Sequence, residues 1–174
     1  VTGPGAIGLL TAQAAAAAGA TVVLVGTPAD EARLGLARDL GIPHILMLER
    51  DDVPSALAEI TSGRGADVAF ECAGAGSAYR LCLDLVKRGG RLMQVGLFGK
   101  PVEADLDLLA YKEIDAGGAI SSVRSSWERM LRLLGSGKVQ TEPLISHRYR
   151  LDQWQEAFAT FEARQGVKLA FIPD

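Results

Sequence analysis

Short runs of apolar, β-branched residues alternate with stretches whose apolar positions recur every three or four residues, and this rhythm holds over residues 1–121. Two alternating periods predict strands separated by helices. The spacing predicts a helix over 9–18, a strand over 21–25, a helix over 30–40, a strand over 44–48 and a helix over 53–61. It continues with a strand over 67–72, a helix over 77–86 and, after a Gly89-Gly90 turn, a strand over 91–95. A short helix over 106–111 and a glycine-interrupted strand over 114–121 complete the series. Asp30 is placed to cap the second helix, and Gly41 with Pro43 to end it. Strands connected through helices imply an α/β protein with a parallel sheet covered on both faces.

After residue 121 the rhythm changes. An amphipathic helix over 127–134 is followed by the Gly135-Ser136-Gly137 break, an extended stretch over 143–149, a helix over 151–163 and a strand over 167–172. Trp154, Ala157, Phe158 and Phe161 share one stripe of the last helix. Trp127 and Trp154 read as core or interface residues, as does Tyr79.

The run Gly3-Pro4-Gly5-Ala6-Ile7-Gly8 opens the first helix and leads into a β-branched strand. That context turns a common G-x-G-x-x-G into a dinucleotide-binding unit of Rossmann type. Gly3 allows the tight turn, Gly5 lets backbone approach a pyrophosphate, and Gly8 lets helix and strand pack closely. Ala6 and Ile7 carry the first N–H groups of the helix, which face the phosphates. Only Val1 and Thr2 precede the motif, whereas a strand needs about five residues to cross a sheet. The expected sheet is therefore doubly wound, parallel and six-stranded with a truncated first strand, in the C-terminal portion of a longer polypeptide.

Bulk properties narrow the partners. A chain of 174 residues buries one sizeable core. A net charge of −3 without a basic run argues against nucleic acid. The longest apolar stretch, the alanine-rich helix, is too short for a membrane span. Two cysteines, Cys72 and Cys82, make no disulfide framework and point to a reducing, cytoplasmic setting. His44 and His147 have no metal-ligand spacing to each other or to the cysteines. Cys72 has no neighbouring base and reads as a small buried residue rather than a nucleophile.

Several stretches taken in order resemble the medium-chain dehydrogenase/reductase family, particularly its zinc-dependent polyol, secondary-alcohol and threonine dehydrogenases. They are Val1-Thr2-Gly3-Pro4-Gly5-Ala6-Ile7-Gly8, Phe70-Glu71-Cys72-Ala73-Gly74, Gly90-Arg91-Leu92-Met93-Gln94-Val95-Gly96, Gly118-Ala119-Ile120 and Gly166-Val167-Lys168-Leu169-Ala170-Phe171-Ile172-Pro173. The resemblance implies an NAD(P)-dependent dehydrogenase acting on a small alcohol or polyol, with its zinc on an N-terminal catalytic domain outside this chain. It implies a cofactor domain over 1–121 and a segment, 122–174, belonging to the catalytic domain. This chain alone is then not catalytic. Cys72, Ala73 and Gly74 would line the adenosine ribose side. Val95, Gly96, Leu97, Ala119, Ile120 and Ser121 would orient the nicotinamide carboxamide, and Lys168 would reach the pyrophosphate. The sixth strand would pair across a two-fold axis in a homodimer or homotetramer.

The second strand ends in Gly26 and Thr27 rather than the acid that usually bonds a ribose 2′-hydroxyl. Arg33 occupies the family's basic position at the adenosine end, or else is a solvated helix residue. A missing carboxylate with an arginine nearby favours NADP over NAD. Three other readings compete: a zinc-free NADPH-dependent quinone or enone reductase of the same superfamily, a non-catalytic nucleotide-binding module, and a methyltransferase. The last is disfavoured because Gly26 stands where that fold carries an acid.

Overall fold

The computed structural model describes residues 1–173. Its first helix, α1 (Ala6–Ala17), starts directly on Gly5 and runs through the alanine-rich stretch, where high helix propensity adds to the burial of Leu9 and Ala12. Strand β1 (Val23–Gly26) follows, then a 3-10 turn at Pro28–Asp30, α2 (Glu31–Asp39) and β2 (His44–Met47). Helix α3 (Val53–Thr61) is capped by Asp52, whose side chain accepts from the Ser55 N–H, and ends on Ser62 in the left-handed region at φ 54°. Next come β3 (Ala66–Glu71), α4 (Gly76–Leu85), β4 (Val86–Gln94), α5 (Asp107–Tyr111) and β5 (Asp115–Gly118). The remaining elements are α6 (Arg124–Gly135), β6 (Ile145–Tyr149), α7 (Trp154–Glu162) and β7 (Lys168–Phe171).

All strand pairs are parallel: β1 with β2, β3 with β4, β4 with β5, and separately β6 with β7. The first two groups meet through the N-terminal residues. Thr2 bridges Val25 on one side and Glu71 on the other. Its N–H donates to the Phe70 carbonyl at 2.9 Å, and its own carbonyl accepts from Cys72 at 3.0 Å. The spatial order is thus β2, β1, Val1-Thr2, β3, β4, β5, the 3-2-1-4-5-6 order of a doubly wound dinucleotide fold. Val1-Thr2 thus holds the central position of the sheet through the two bridges of Thr2.

Two apolar clusters cover the sheet. One gathers Leu9, Ala12, Val22, Leu24, Leu34, Ala37, Ile42 and Met47, with Leu144 from the C-terminal segment buried among them. The other gathers Ala69, Cys82, Leu83, Val86, Leu92 and Ile114. The C-terminal segment also attaches through polar contacts. Buried Gln13 donates to the Gln140 carbonyl at 3.1 Å and accepts its N–H at 2.7 Å.

Four expectations need correction. Asp30 does not cap α2: its carboxylate turns back to accept from the Thr27 N–H at 3.1 Å and hydroxyl at 2.8 Å, closing the 3-10 turn. The fifth-strand segment begins at Val86 rather than after Gly89-Gly90. Residues 87–90 bulge out between the Ala66–Val86 and Val68–Arg91 pairs. The sixth strand ends at Gly118, so Ala119, Ile120 and Ser121 lie beyond it. On the last helix only Ala157 of the apolar stripe is buried, and Trp154, Phe158 and Phe161 are exposed. No helix among the described residues is long and apolar enough to cross a membrane.

Candidate cofactor site

Parallel strands point their carboxyl ends to one edge of the sheet, and there the candidate residues converge. Gly3 turns the chain at φ 84°, and a Cβ on it would lie 2.6 Å from the Ala73 backbone. A Cβ on Gly8 would stand 1.9 Å from the Gly3 carbonyl oxygen, so α1 packs down on the turn as the motif predicts. A Cβ on Gly26 would meet Pro4 and Leu34 at 3.0 Å, which seats β1 against the turn from the other side. Gly74 and Gly96 interlock: a Cβ on the first would lie 2.7 Å from the Leu97 carbonyl oxygen, and on the second 2.3 Å from the Gly74 nitrogen. The Ala119 N–H donates to the Gln94 carbonyl at 2.9 Å and ties the last loop to this row. Gly26, the Gly3–Gly8 turn, Cys72–Gly74, Val95–Leu97 and the loop from Ala119 to Ser121 therefore line one edge.

Gly5 differs from its neighbours. Nothing lies within 4 Å of a Cβ built there, and no side chain caps α1. The first-turn N–H groups of Ala6, Ile7 and Gly8 have no intrahelical partner. Together with the positive end of the helix they form a cradle for an anion. The residues present fit the pyrophosphate of a dinucleotide.

Loop 73–75 behaves otherwise. Glu71 is fully buried, and its Oε1 accepts from Ala73 at 2.9 Å, Gly74 at 2.8 Å and Ala75 at 3.5 Å. These N–H groups are turned inward. Cys72 faces Thr11, its Sγ 3.8 Å from Oγ1, and burial pushes its thiol pKa up. Burial likewise pushes the Cys82 thiol up to about 11. Neither is a ready thiolate nucleophile.

Arg33 is brought to the end of β1, but its guanidinium is already engaged. It pairs with Asp30 at 3.1 Å and donates to the carbonyls of Gly166 at 2.9 Å and Arg164 at 2.8 Å. This clamps the turn before β7 and places Lys168 two residues past the clamp. Lys168 opens β7 in the second sheet and is exposed. Leu97 and Ile120 are exposed as well, the latter at 81 %. Ser121 lies in the left-handed region at φ 61°. A cavity of about 590 Å³ between β1 and β3 lies at their amino ends, lined by Val23, Leu57, Ala66 and Val68 among others. It reaches up to Val1 and Thr2 but none of residues 3–8, 73–75 or 95–97 lines it.

Sequence reasoning missed Glu71 as a site residue and the Asp30–Arg33 pair. The signal for Glu71 was a lone acid closing the apolar run Val68-Ala69-Phe70 just before a glycine loop.

A family profile described as zinc-binding dehydrogenase matches residues 6–136. The chain is 36% identical to the sorbitol dehydrogenase of Halalkalibacterium halodurans over 174 residues, which is 99% of this chain and 51% of that protein. It is 34% identical to the L-threonine 3-dehydrogenase of Pyrococcus furiosus, covering 99% of this chain and 50% of that one. The solved 2R,3R-butanediol dehydrogenase from Bacillus subtilis superposes with a TM-score of 0.85 at 29% identity, over 99% of this chain and 50% of that one. The fold and these matches make the chain a member of the zinc-binding dehydrogenase family. It spans about half the length of the curated relatives it matches.

Proposed function

We propose that this chain is the cofactor-binding portion of an alcohol or polyol dehydrogenase that transfers hydride between a nicotinamide dinucleotide and a secondary alcohol or polyol. The observation that carries this reading is the open space over Gly5 beneath the uncapped N-terminus of α1. When bound, the nicotinamide gives or takes the hydride. The chain's own residues do the holding: α1 for the pyrophosphate, the loop after β1 for the adenosine end, and residues 95–97 and 119–121 for the carboxamide. The catalytic zinc and most of the substrate pocket would lie on residues outside this chain. Residues 1–121 form the cofactor domain, and 122–174 associate with the catalytic one. Both cysteines are free thiols, which suits a reducing, cytoplasmic compartment.

The preference between cofactors turns on Arg33. The argument for NADP needs a guanidinium available to a 2′-phosphate. Here Arg33 has three partners, one of them the Asp30 carboxylate. A 2′-phosphate would have to displace Asp30 or lie beside it, at a Coulombic cost. We infer that the Thr27–Asp30 turn favours the 2′-hydroxyl form, NAD. Calorimetric titration with NADH and NADPH at equal salt tests both levels. Binding of neither sinks the cofactor reading. Tighter NADPH binding restores Arg33 as a phosphate ligand. Gly5→Ala supplies the control: it meets no atom of the protein, so it should leave stability unchanged and weaken NADH binding.

The exposed edge at β5 supports a homodimer or homotetramer. All of Asp115–Gly118 is exposed, and among the described residues the strand pairs only with β4. A bare parallel edge of this kind recruits another strand.

A further inference from the structure

Among the described residues Glu71 is the only buried acid, and it sits where two loops of the site meet. Its Oε1 gathers the N–H groups of residues 73–75. Its main-chain carbonyl takes the N–H groups of Val95 and Gly96, both at 2.8 Å. One residue therefore ties the loop after β3 to the loop after β4, and Gly74 packs on Gly96 and Leu97 without room for a side chain on either glycine. Its second oxygen, Oε2, is buried without a hydrogen-bond partner, and a Cβ on Gly96 would come within 2.6 Å of it. Burying an acid with one oxygen unsatisfied is costly. The other oxygen offsets part of that cost by accepting from three loop N–H groups as the chain turns into α4.

We propose that Glu71 is a positioning residue for the cofactor: its carboxyl group fixes loop 73–75 and its carbonyl fixes loop 95–97, so that both present one preset edge to the dinucleotide. The proposal rests on the cofactor reading above. Because Glu71 occupies the anion-binding nest of loop 73–75 from within, the pyrophosphate is left to α1. Glu71 then sets the shape of the site without touching the ligand.

The test compares two variants of similar volume by calorimetric titration with NADH. Glu71→Gln keeps an oxygen acceptor, and Glu71→Met fills the space without one. A positioning role predicts that Gln binds NADH within a few-fold of the wild-type chain and that Met loses affinity by about tenfold or more. A role in packing alone predicts equal affinities for the two, and that result overturns the proposal. Amide hydrogen exchange on the unaltered chain covers the case in which a variant fails to fold. The N–H groups of Ala73 and Gly74 should be strongly protected before any cofactor is added. Exchange at the rate of an open loop would refute the strut. If the wild-type chain binds no NADH although both amides are protected, the cofactor reading has failed, and the positioning role fails with it.

Discussion

Helices α4 and α7 carry apolar stripes of the same period and meet different fates. On α4, Cys82 and Leu83 are buried against β3 and β4. On α7, Phe161 keeps 69 % of its surface and Trp154 54 %, and only Ala157 is covered. Helix α6 repeats the pattern of α7, with Trp127 and Leu131 each 62 % exposed and no buried residue. The period of a stripe decides which face a helix offers, but burial needs a second layer to receive it. Over residues 1–121 the sheet is that layer. Over 122–174 the strands β6 and β7 make only a two-stranded sheet, too narrow to cover both helices. These exposed faces are the surface that the catalytic domain proposed above would cover.

The largest effect should separate these regions directly. Leu83→Ala opens a hole in a core position with no exposed surface and should cost about 2–5 kcal/mol in urea unfolding. Phe161→Ala should cost less than about 0.5 kcal/mol in this chain. Equal losses would mean that the α7 stripe is covered in solution, and the contrast would collapse. Next comes Gly8→Ala, whose Cβ must displace the Gly3 carbonyl. Overpacking of that kind should cost about 1–3 kcal/mol and abolish NADH binding as the turn shifts. A variant that binds NADH normally would show that the turn is not the phosphate cradle.

Arg33→Ala cuts one of the links between the two regions and should cost about 1 kcal/mol for its lost hydrogen bonds, discounted for partial exposure. The sharper readout is faster amide exchange in β7 with β1 unchanged. If β7 stays protected, the core contacts of Leu144 and Val167 suffice to hold it. Ala116→Pro probes the sheet edge. The Ala119 N–H points inward to β4, so by alternation the Ala116 N–H points outward. The substitution should leave the fold intact and produce a monomer by light scattering. An oligomer that persists uses another surface.

The smallest effect is a slope with pH. Burial raises the Cys82 thiol from its ordinary 9.0 to about 11. The folded state then holds a proton that the unfolded chain releases. The contribution is complete below pH 9.0 and is lost as pH rises toward 11. Urea midpoints should fall between pH 8.5 and pH 10.5, on the order of that window, and fall less in Cys82→Ala. Identical slopes would show that the thiol is not linked to folding.

Much of the fold was legible because its signals are local. The glycine motif, the alanine helix and the α3 boundaries follow from sterics and hydrogen bonding within a few residues. The sixth strand is shorter than its sequence suggests because Ala119 and Ile120 resume small and apolar residues after Gly117-Gly118, whereas the chain leaves the sheet through a left-handed Ser121. At Asp30 local pattern is ambiguous, because an acid before a helix can serve either the helix or the turn behind it. Thr27 offered two donors at once, and the turn won.

The sequence by itself determined the order of strands and helices, the glycine turn and the edge of the sheet on which it lies, since each depends on period, propensity and glycine geometry. The tertiary structure decided which polar groups are spent and which remain for a ligand. Arg33 finds Gly166 133 residues away, and Glu71 becomes a buried strut only once β3 is flanked by β4 and Thr2. Hydrogen bonds over such separations depend on how layers meet, and no local pattern encodes them.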